Sequence, residues 1–296
     1  MSVHKIYAEL RGLTPGQVLL ALAGTVISYL GVSGYDTLAL RYTRRPLPYQ
    51  KTGFASFTSY ALSNTLGMPL LTGGAVRYRL YSSWGLTAKD VGLLAVVTGG
   101  TLYIGALTFA GLGLLVEADR FESVFHVPGI LAHVAGIVFL ALVAAFLVLS
   151  HFTKKTWQIR SYEITPPGLP VATGQLLVSM ADWAGASLVL FAVLPTDTGL
   201  SFLAFLPIFV AATFIGGMSG LPGGVGVFEA VILLMVPAGS SEALAASLIA
   251  YRVIYYLIPL AVAAILLAVH QYRHAGAQIK GAAAAAQDVT ELFAPT

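Results

Sequence analysis

Six long apolar stretches recur along the chain, at 17–40, 91–116, 127–150, 169–194, 201–218 and 244–269. A helix that crosses about 30 Å of hydrocarbon needs about 20 residues, and each stretch is near that length. A further apolar run, 227–236, is too short to span. The segments Thr14 to Gln17 and Thr87 to Asp90 resemble capping boxes at the start of a helix. The pattern therefore predicts a helical membrane protein, and its first stretch lacks the features of a cleaved signal peptide.

The composition agrees with this prediction and narrows the chemistry. Hydrophobic residues make up 57% of the chain and charged residues 10%, with a mean hydropathy of +0.82, which excludes an ordinary soluble domain. The lack of cysteine excludes disulfides, iron–sulfur clusters, thiolate zinc sites and a thiol nucleophile. The histidines show no metal-binding spacing, and segment 220–226 lacks the Lys-Ser/Thr of a phosphate-binding loop. We therefore expect no catalytic domain, no metal and no cofactor in this sequence.

The basic residues divide unequally between the two sides of the predicted helices. Of the 16 Lys and Arg residues, 3 lie on one side, 1 lies within a span and the other 12 lie on the opposite side. The positive-inside rule places the larger group in the cytoplasm. Segment 53–76 then begins and ends on the cytoplasmic side, and segment 201–236 on the outer side, so each turns back within the membrane. The prediction is an all-α polytopic membrane protein with about five full spans and two oppositely oriented re-entrant helical hairpins.

The turn of the second hairpin is visible in the sequence. Between Gly216 and Gly226 there are six glycines and one proline, which cannot hold a regular helix. Irregular backbone at membrane depth occurs where protein or water covers it. Opposed hairpins are common in transporters with inverted repeats, and these bind their substrates where broken helices meet. The candidate hinge residues are Gly73, Gly74, Gly220, Pro222, Gly223, Gly224 and Gly226.

Charged side chains occur where the bilayer is expected: Asp36, Arg77, Arg79, Asp182, Glu229 and Arg252. Burying one charge in hydrocarbon costs roughly 2.5–3.5 kcal/mol even on a lenient insertion scale. Because both signs occur, we expect them to act together in a pathway or pocket for a polar or zwitterionic ligand. For Asp36 the alternative is an interfacial carboxylate that pairs with the nearby basic loop. For Arg77 and Arg79 the alternatives are binding of a phosphate and a role in topology alone.

The three charges in the second half of the chain also have alternatives. Asp182 lies near the middle of an apolar span, where a structural pairing with Arg252 competes with ligand or proton binding. Glu229 follows the glycine-rich break, so its candidate partners are a cationic ligand and the positive end of its own helix. Arg252 is expected to pair with Asp182 or with Glu229.

Uncharged polar side chains complete the candidate site. Tyr251 precedes Arg252, and Tyr255 lies three residues after it on the same helix face, where it can hydrogen-bond or stack. Asn64 lies inside the apolar hairpin 53–76 and either satisfies the backbone of the turn or faces a ligand.

Four segments carry a family resemblance: Tyr60–Asn64, Leu71–Tyr81, Ser219–Glu229 and Tyr251–Tyr256. At these residues the chain resembles the membrane region of the lysyl-phosphatidylglycerol synthase/flippase family, the bacterial multiple peptide resistance factors. The resemblance runs from about residue 17 to 270. It implies a lipid-flippase domain over 1–274, in the bacterial cytoplasmic membrane. Residues 275–296 are interpreted as a linker or as the truncated start of a further membrane region.

The resemblance also implies a function. In this family the membrane domain moves lysyl- or alanyl-phosphatidylglycerol to the outer leaflet, where its positive charge repels cationic antimicrobial peptides. A cytosolic domain makes that lipid from aminoacyl-tRNA, so the expected partners are membrane phospholipid and a synthase domain in cis or in trans, without nucleic acid on this segment. A homo-oligomer is left open. The positions implied to be important for translocation are Asp36, Arg77, Asp182, Glu229 and Arg252.

These observations lead to a hypothesis with two main alternatives. In the hypothesis, Arg77 and Arg252 hold the lipid phosphate, while Asp36, Asp182 and Glu229 hold the ammonium groups. In the first alternative the chain is a secondary transporter of a small anion or zwitterion. In the second it is the membrane portion of a phosphatidylglycerol lysyltransferase and has no transport role, so whether it belongs to an enzyme stays open.

Overall fold

The computed structural model describes residues 3–67, 72–119, 122, 128–153, 157–159, 162–164, 166–237 and 240–273. Five helices in this part of the chain are long and apolar enough to cross a membrane. In chain order they are α2, α5, α6, α7 and α10, at Pro15–Tyr42, Ala88–Val116, Gly129–Phe152, Leu169–Val193 and Ser241–Arg273. They confirm the prediction of an all-α polytopic membrane protein. The interpretation of 275–296 concerns residues outside the described ones.

Shorter elements connect these five helices. They are the helices α1, α3, α4, α8 and α9, at Val3–Gly12, Tyr49–Leu66, Gly73–Ser83, Phe202–Met218 and Val227–Met235. A two-stranded antiparallel hairpin, β1 (Trp157–Ile159) and β2 (Tyr162–Ile164), lies between α6 and α7. The hydropathy pattern does not predict this hairpin, because strands of three residues carry no measurable period.

Two helix starts follow the predicted capping chemistry. Thr14 accepts a hydrogen bond from the backbone N–H of Gln17, whose side chain accepts one in return. Thr87 and Asp90 make the same reciprocal pair at the start of α5. Each pair satisfies backbone donors that the first helical turn leaves without partners, so α2 and α5 begin where the sequence indicates.

The order of elements repeats along the chain. A long helix, two shorter helices and another long helix follow one another in α2–α3–α4–α5 and again in α7–α8–α9–α10. In the first set α3 ends at Leu66 and α4 begins at Gly73, and in the second set the helix is interrupted at Ser219–Gly226. This order fits the predicted pair of hairpins. Their re-entrant course, and their opposite orientation in a membrane, stay predictions.

Helices α2 and α7 form the centre of the molecule and pack through glycines. A Cβ on Gly31 would lie 2.7 Å from the carbonyl oxygen of Val178, and a Cβ on Gly185 would lie 2.6 Å from the backbone nitrogen of Ser28. Small residues let membrane helices approach until backbone touches backbone. The close approach brings the polar side chains of these two helices within hydrogen-bonding distance.

Candidate functional site

The backbone of the break between α8 and α9 adopts conformations that only glycine adopts easily. Gly223, Gly224 and Gly226 have φ values of 58°, 62° and 86°, in the left-handed region. Residues Pro222–Gly224 form one 3₁₀ turn, and α9 begins at Val227. The predicted helix interruption is therefore confirmed, and it places Glu229 in the first turn of α9.

Glu229 and Arg252 form an ion pair at this break. The Nε and Nη2 atoms of Arg252 lie 2.7 and 2.6 Å from Oε1 of Glu229. The second carboxylate oxygen, Oε2, accepts a hydrogen bond of 2.7 Å from the backbone N–H of Gly226. One carboxylate thus caps α9 and holds the guanidinium. Both side chains keep about a fifth of their surface exposed, at 22% for Glu229 and 18% for Arg252.

The end of α3 meets the break between α8 and α9 beside Arg252. A Cβ on Gly67, at the end of α3, would lie 2.8 Å from Cα of Pro222 in that break. A Cβ on Gly223 would lie 3.2 Å from Nη1 of Arg252 and 3.4 Å from the carbonyl oxygen of Asn64. The Asn64 Nδ2 atom is buried and has no hydrogen-bond partner among the described residues. Asn64 therefore lies where the end of α3 meets the break between α8 and α9.

A cavity opens next to the ion pair. Its volume is about 350 Å³, and it is bounded by α9 and α10. Apart from Glu229 and Arg252, its lining side chains are apolar: Leu233, Ala245, Leu248, Ile249, Val253 and Leu257. Four of these, Leu233, Ile249, Val253 and Leu257, keep 41–50% of their surface exposed on the outside of the helices. The cavity is therefore open sideways, toward the region where lipid chains would lie.

The backbone of α10 departs from α-helical geometry next to Arg252. Residues Val253–Leu257 form a π-helical turn, in which the N–H of Ile258 donates to the carbonyl oxygen of Val253. Single π-turns inside α-helices occur frequently at functional sites. The turn sits just before Pro259, whose ring removes one N–H and crowds the carbonyl four residues earlier. In the sequence, Pro259 is the feature that indicates this irregularity.

Aromatic rings surround the guanidinium. The Arg252 guanidinium carbon lies 4.6 Å from the centroid of the Tyr256 ring. Tyr251 stacks on Phe228, with ring centroids 5.5 Å apart, and on Tyr255, also at 5.5 Å. A cation over aromatic faces gains electrostatic stabilisation. The rings therefore fix the position of Arg252 while leaving its cavity side open.

Asp182 is not the partner of Arg252. Its carboxylate is 2% exposed and accepts hydrogen bonds from Ser28 Oγ at 2.5 Å and Tyr35 Oη at 2.7 Å. Ser28 Oγ lies 2.7 Å from Tyr255 Oη, so a chain of hydroxyls leads from Asp182 to the π-turn. The alternative of an Asp182–Arg252 pair is wrong, because Glu229 occupies the guanidinium and hydroxyl donors satisfy Asp182.

Asp36 and Arg77 form a second ion pair, on α2 and α4. Arg77 Nε and Nη2 lie 3.2 and 3.0 Å from the two oxygens of Asp36, a bidentate arrangement. Tyr81 Oη donates to the same carboxylate at 2.7 Å. Asp36 is fully buried. It therefore has an internal partner, and the basic loop that follows α2 does not provide it.

Arg79 lies apart from both pairs. It is exposed, and its Nη2 lies 3.3 Å from Oε1 of Gln271 near the end of α10. The hinge candidates Gly73 and Gly74 are the first two residues of α4. A Cβ on Gly73 would lie 2.6 Å from Ser63 Oγ, so this glycine lets α4 approach α3 closely.

Four hydroxyl side chains in these networks were not among the predicted site residues: Ser28, Tyr35, Tyr60 and Tyr81. Signals existed for three of them: Tyr81 lies four residues after Arg77 on the same helix face, Tyr35 directly precedes Asp36, and Tyr60 begins a segment that carries the family resemblance. Ser28 is a hydroxyl residue in an apolar helix, which the sequence alone does not distinguish from an ordinary packing position.

Comparisons with known proteins agree with the membrane architecture. An uncharacterized protein of Synechocystis sp. is 36% identical over 258 residues, 87% of this chain and 80% of that protein. Inner membrane protein YbhN of Escherichia coli is 27% identical over 265 residues, 88% of this chain and 82% of that protein. Phosphatidylglycerol lysyltransferase of Staphylococcus aureus is 29% identical over 255 residues, 84% of this chain but 29% of that longer protein.

A family model described as the lysylphosphatidylglycerol synthase TM region matches residues 1–263, which include every helix of the site except the end of α10. With five long apolar helices and this match, the chain is a multi-pass membrane protein that belongs to the family of the lysylphosphatidylglycerol synthase transmembrane region.

Proposed function

We propose that this chain moves an aminoacylated phosphatidylglycerol, lysyl- or alanyl-, from the inner to the outer leaflet of the bacterial cytoplasmic membrane. The observation that carries the proposal is the Glu229–Arg252 pair at the head of a sideways-open apolar cavity. The proposed lipid has a phosphate and an ammonium group on one headgroup. A guanidinium and a carboxylate side by side are complementary to both charges.

The headgroup would bind by exchange of ion pairs. Arg252 releases Glu229 and takes the phosphate, while Glu229 takes the ammonium, so each partly buried charge keeps an opposite partner. Removing one partner from a buried pair costs about 3–5 kcal/mol, whereas exchange avoids that cost. The hydrogen bond from Gly226 holds the Glu229 carboxylate in place during the exchange.

The acyl chains would stay in the bilayer. The exposed apolar side chains of α9 and α10 border the cavity and match hydrocarbon, so a lipid can insert its head without withdrawing its tails. Irregular backbone at the break between α8 and α9 then lines the path of the headgroup, as transporter architectures with broken helices allow.

The remaining charges receive supporting roles in this proposal. Asp36 and Arg77 neutralise each other with bidentate geometry and hold α4 against α2, so we assign them positioning roles. This revises the hypothesis in which they contact the headgroup. Asp182 organises the hydroxyls of Ser28 and Tyr35 at the centre of the molecule.

A reconstituted assay tests the proposal directly. Vesicles containing the purified chain receive lysyl-phosphatidylglycerol in the inner leaflet, and fluorescamine added outside reports the lysyl amines that appear there. We expect rapid exposure with the wild-type chain and at least tenfold slower exposure with Arg252→Gln or Glu229→Gln. Arg79→Gln is the matched control and should behave as wild type, because Arg79 is exposed and outside the pair.

Two results of the vesicle assay would contradict the proposal. Equal rates in wild-type and pair variants would remove the Glu229–Arg252 pair from the pathway. Uptake of free lysine by the same vesicles, without lipid movement, would favour a transporter of a small zwitterion.

A second test uses cells that express a separate lysyltransferase domain. In these cells we expect the chain to raise outer-leaflet lysyl lipid and resistance to cationic peptides. Lipid that is made but stays inside would indicate a membrane anchor without transport.

A further inference from the structure

Asp182 is a buried acid that the exchange of partners at Glu229 and Arg252 does not use. It lies in the middle of α7 with 2% of its surface exposed. Its partners are the hydroxyls of Ser28 and Tyr35, and no Lys, Arg or His in the described part of the chain forms an ion pair with it. An ionised carboxylate buried without a counter-charge is costly, and one bound proton removes that charge. Asp182 therefore has the surroundings of a proton-binding site.

A chain of hydroxyls leads from Asp182 to α10 and α3. Ser28 Oγ lies 2.5 Å from Asp182 Oδ1 and 2.7 Å from Tyr255 Oη. Tyr255 Oη in turn lies 3.3 Å from Tyr60 Oη. Ser28 is fully buried, whereas Tyr60 keeps part of its surface exposed. The hydroxyl chain of Ser28, Tyr255 and Tyr60 thus connects a buried acid to a less buried side chain.

This hydroxyl chain is satisfied whether Asp182 is ionised or protonated. When Asp182 is ionised, Ser28 donates to it, and each following hydroxyl donates to the one before. When Asp182 is protonated, its own O–H donates to Ser28 and every later bond reverses its direction. The change of state breaks one O–H bond and forms another at each hydroxyl. Its net result is that a proton taken from water at Tyr60 appears on Asp182.

Tyrosine hydroxyls face Asp182 from three elements: Tyr29 and Tyr35 on α2, Tyr60 on α3 and Tyr255 on α10. The nearby charges of α2 and α10, Asp36 and Arg252, are neutralised by Arg77 and Glu229. Helix α8 contains no ionisable residue, and α5 and α6 place theirs near helix ends or on the exposed surface: Lys89, Asp90, Tyr103, His133 and His151. Within the described ranges, Asp182 is therefore the acid of this region without a cationic partner.

The longest link of the hydroxyl chain lies next to Arg252. Tyr255 belongs to the π-turn and follows Arg252 by three residues. Its distance of 3.3 Å to Tyr60 exceeds the range of about 2.5–3.0 Å that is usual for an O–H···O hydrogen bond. A small movement of the π-turn would close or open this link. A headgroup that moves Arg252 would therefore also change the path of the proton.

We infer, on the basis of the proposed function, that Asp182 binds a proton in each translocation cycle and that the hydroxyl chain relays it. Lysyl-phosphatidylglycerol has two ammonium groups and one phosphate, so its export moves positive charge outward. A membrane potential that is negative inside opposes this movement in proportion to its size. Entry of one proton for each lipid compensates the charge. The exchange is then driven by a pH gradient that is acidic outside.

Infrared difference spectroscopy tests the proton site without any lipid movement. The purified chain in lipid nanodiscs is acidified, and the carbonyl stretch of each newly protonated carboxyl group is recorded. We expect a band that Asp182→Asn lacks and that Asp119→Asn, at an exposed acid, retains. The amide of Asp182→Asn has the shape of a neutral carboxyl group, so this variant keeps the packing of α2 against α7. A spectrum that Asp182→Asn leaves unchanged would overturn the inference.

The coupling is tested in the vesicles that report lysyl lipid by fluorescamine, with the membrane potential clamped at zero. An acidic outside should raise the wild-type rate at least fivefold over equal pH, and Asp182→Asn should give the same rate in both conditions. Tyr60→Phe cuts the hydroxyl chain and should lose most of the response. Tyr29→Phe is the matched control, because its Oη has no hydrogen-bond partner among the described residues and its ring centroid lies 5.4 Å from that of Tyr60.

The outcomes separate the coupling from the proposed function. A wild-type chain that moves lysyl lipid at a rate independent of the pH gradient would overturn the coupling and leave the proposed function standing. Equal responses of Tyr60→Phe and Tyr29→Phe would overturn the relay. Equal acceleration by a sodium gradient at constant pH would assign the coupling to another ion. If the wild-type chain moved no lipid in any condition, the proposed function would fail together with the coupling.

Discussion

Arg252 reaches from α10 into the break between α8 and α9, where its Nη1 atom donates a hydrogen bond of 2.8 Å to the carbonyl oxygen of Gly223. The other two nitrogens of the same guanidinium hold Glu229. One side chain therefore fixes both the irregular backbone and the carboxylate beside it. Any movement of Arg252 toward a ligand would be transmitted to the break.

Arg252→Lys is expected to slow lysyl-lipid translocation at least tenfold. Lysine keeps the positive charge, but its single ammonium cannot place three donors on Glu229 and Gly223 at fixed angles. The measurement is the fluorescamine assay in vesicles, with Arg79→Lys as the control at an exposed arginine. A lysine variant with the wild-type rate would mean that charge alone suffices and that the forked geometry has no role.

Gly223→Ala is expected to slow lysyl-lipid translocation more than Gly220→Ala does. Both glycines have positive φ, at 58° and 71°, so both substitutions bring similar backbone strain. Only at Gly223 does the added Cβ approach Arg252 Nη1, at 3.2 Å, whereas Gly220 faces open space. We expect Gly220→Ala to keep more than half of the translocation rate and Gly223→Ala to lose most of it. Equal losses would attribute the effect to strain alone.

Features with a local sequence code could be predicted. Membrane helices follow from apolar length, and the interruption at Gly223 follows from clustered glycine and proline, since both depend on neighbouring residues. The capping boxes at Thr14 and Thr87 are local as well. For Arg252 the sequence left two candidate partners, Asp182 and Glu229, and the structure pairs it with Glu229.

Features that depend on distant residues could not be predicted. Ser28 and Asp182 are 154 positions apart, and only the glycine-mediated contact of α2 and α7 brings them together. The pair of Asp36 and Arg77, 41 positions apart, depends on how α4 folds back on α2. Hydropathy assigns a residue to a depth in the membrane but gives no direction around the helix axis, so it cannot select partners.

The contact of α2 and α7 gives a prediction about stability. Gly185→Ala would place a Cβ 2.6 Å from the Ser28 nitrogen, so α2 and α7 would have to separate. Overpacking of this kind typically costs about 1–3 kcal/mol. It should also stretch the hydrogen bond between Ser28 and Asp182. Gly99→Ala is the control, since its Cβ meets no atom within 4 Å and alanine is the better helix former.

The measurement for this glycine pair is unfolding of the purified chain in detergent micelles, followed by intrinsic fluorescence. Gly185→Ala should unfold at lower denaturant concentration than wild type, and Gly99→Ala at the same or higher concentration. If Gly185→Ala were as stable as the control, the backbone contact of α2 and α7 would not limit their packing.

Variants of the Asp36–Arg77 pair distinguish a role in positioning α4 from a role in binding the headgroup. Asp36→Asn leaves Arg77 without its counter-charge, and Arg77→Gln leaves a fully buried carboxylate with only the Tyr81 hydroxyl. Breaking a buried pair from one side costs about 3–5 kcal/mol, whereas replacing both partners can be nearly neutral. We expect each single variant to be destabilised and the double variant Asp36→Asn/Arg77→Gln to regain most of the lost stability.

Translocation by the double variant decides between the two roles. If the pair holds α4 against α2, the double variant should recover the rate to within about threefold of wild type, since the neutral amides keep the contact without a buried charge. If either charge contacts the headgroup, the rate should stay as low as in the single variants although stability returns. The same vesicles report both quantities, with unfolding and lysyl-lipid exposure measured on one preparation. Recovery of stability without recovery of transport would return Asp36 and Arg77 to the headgroup pathway.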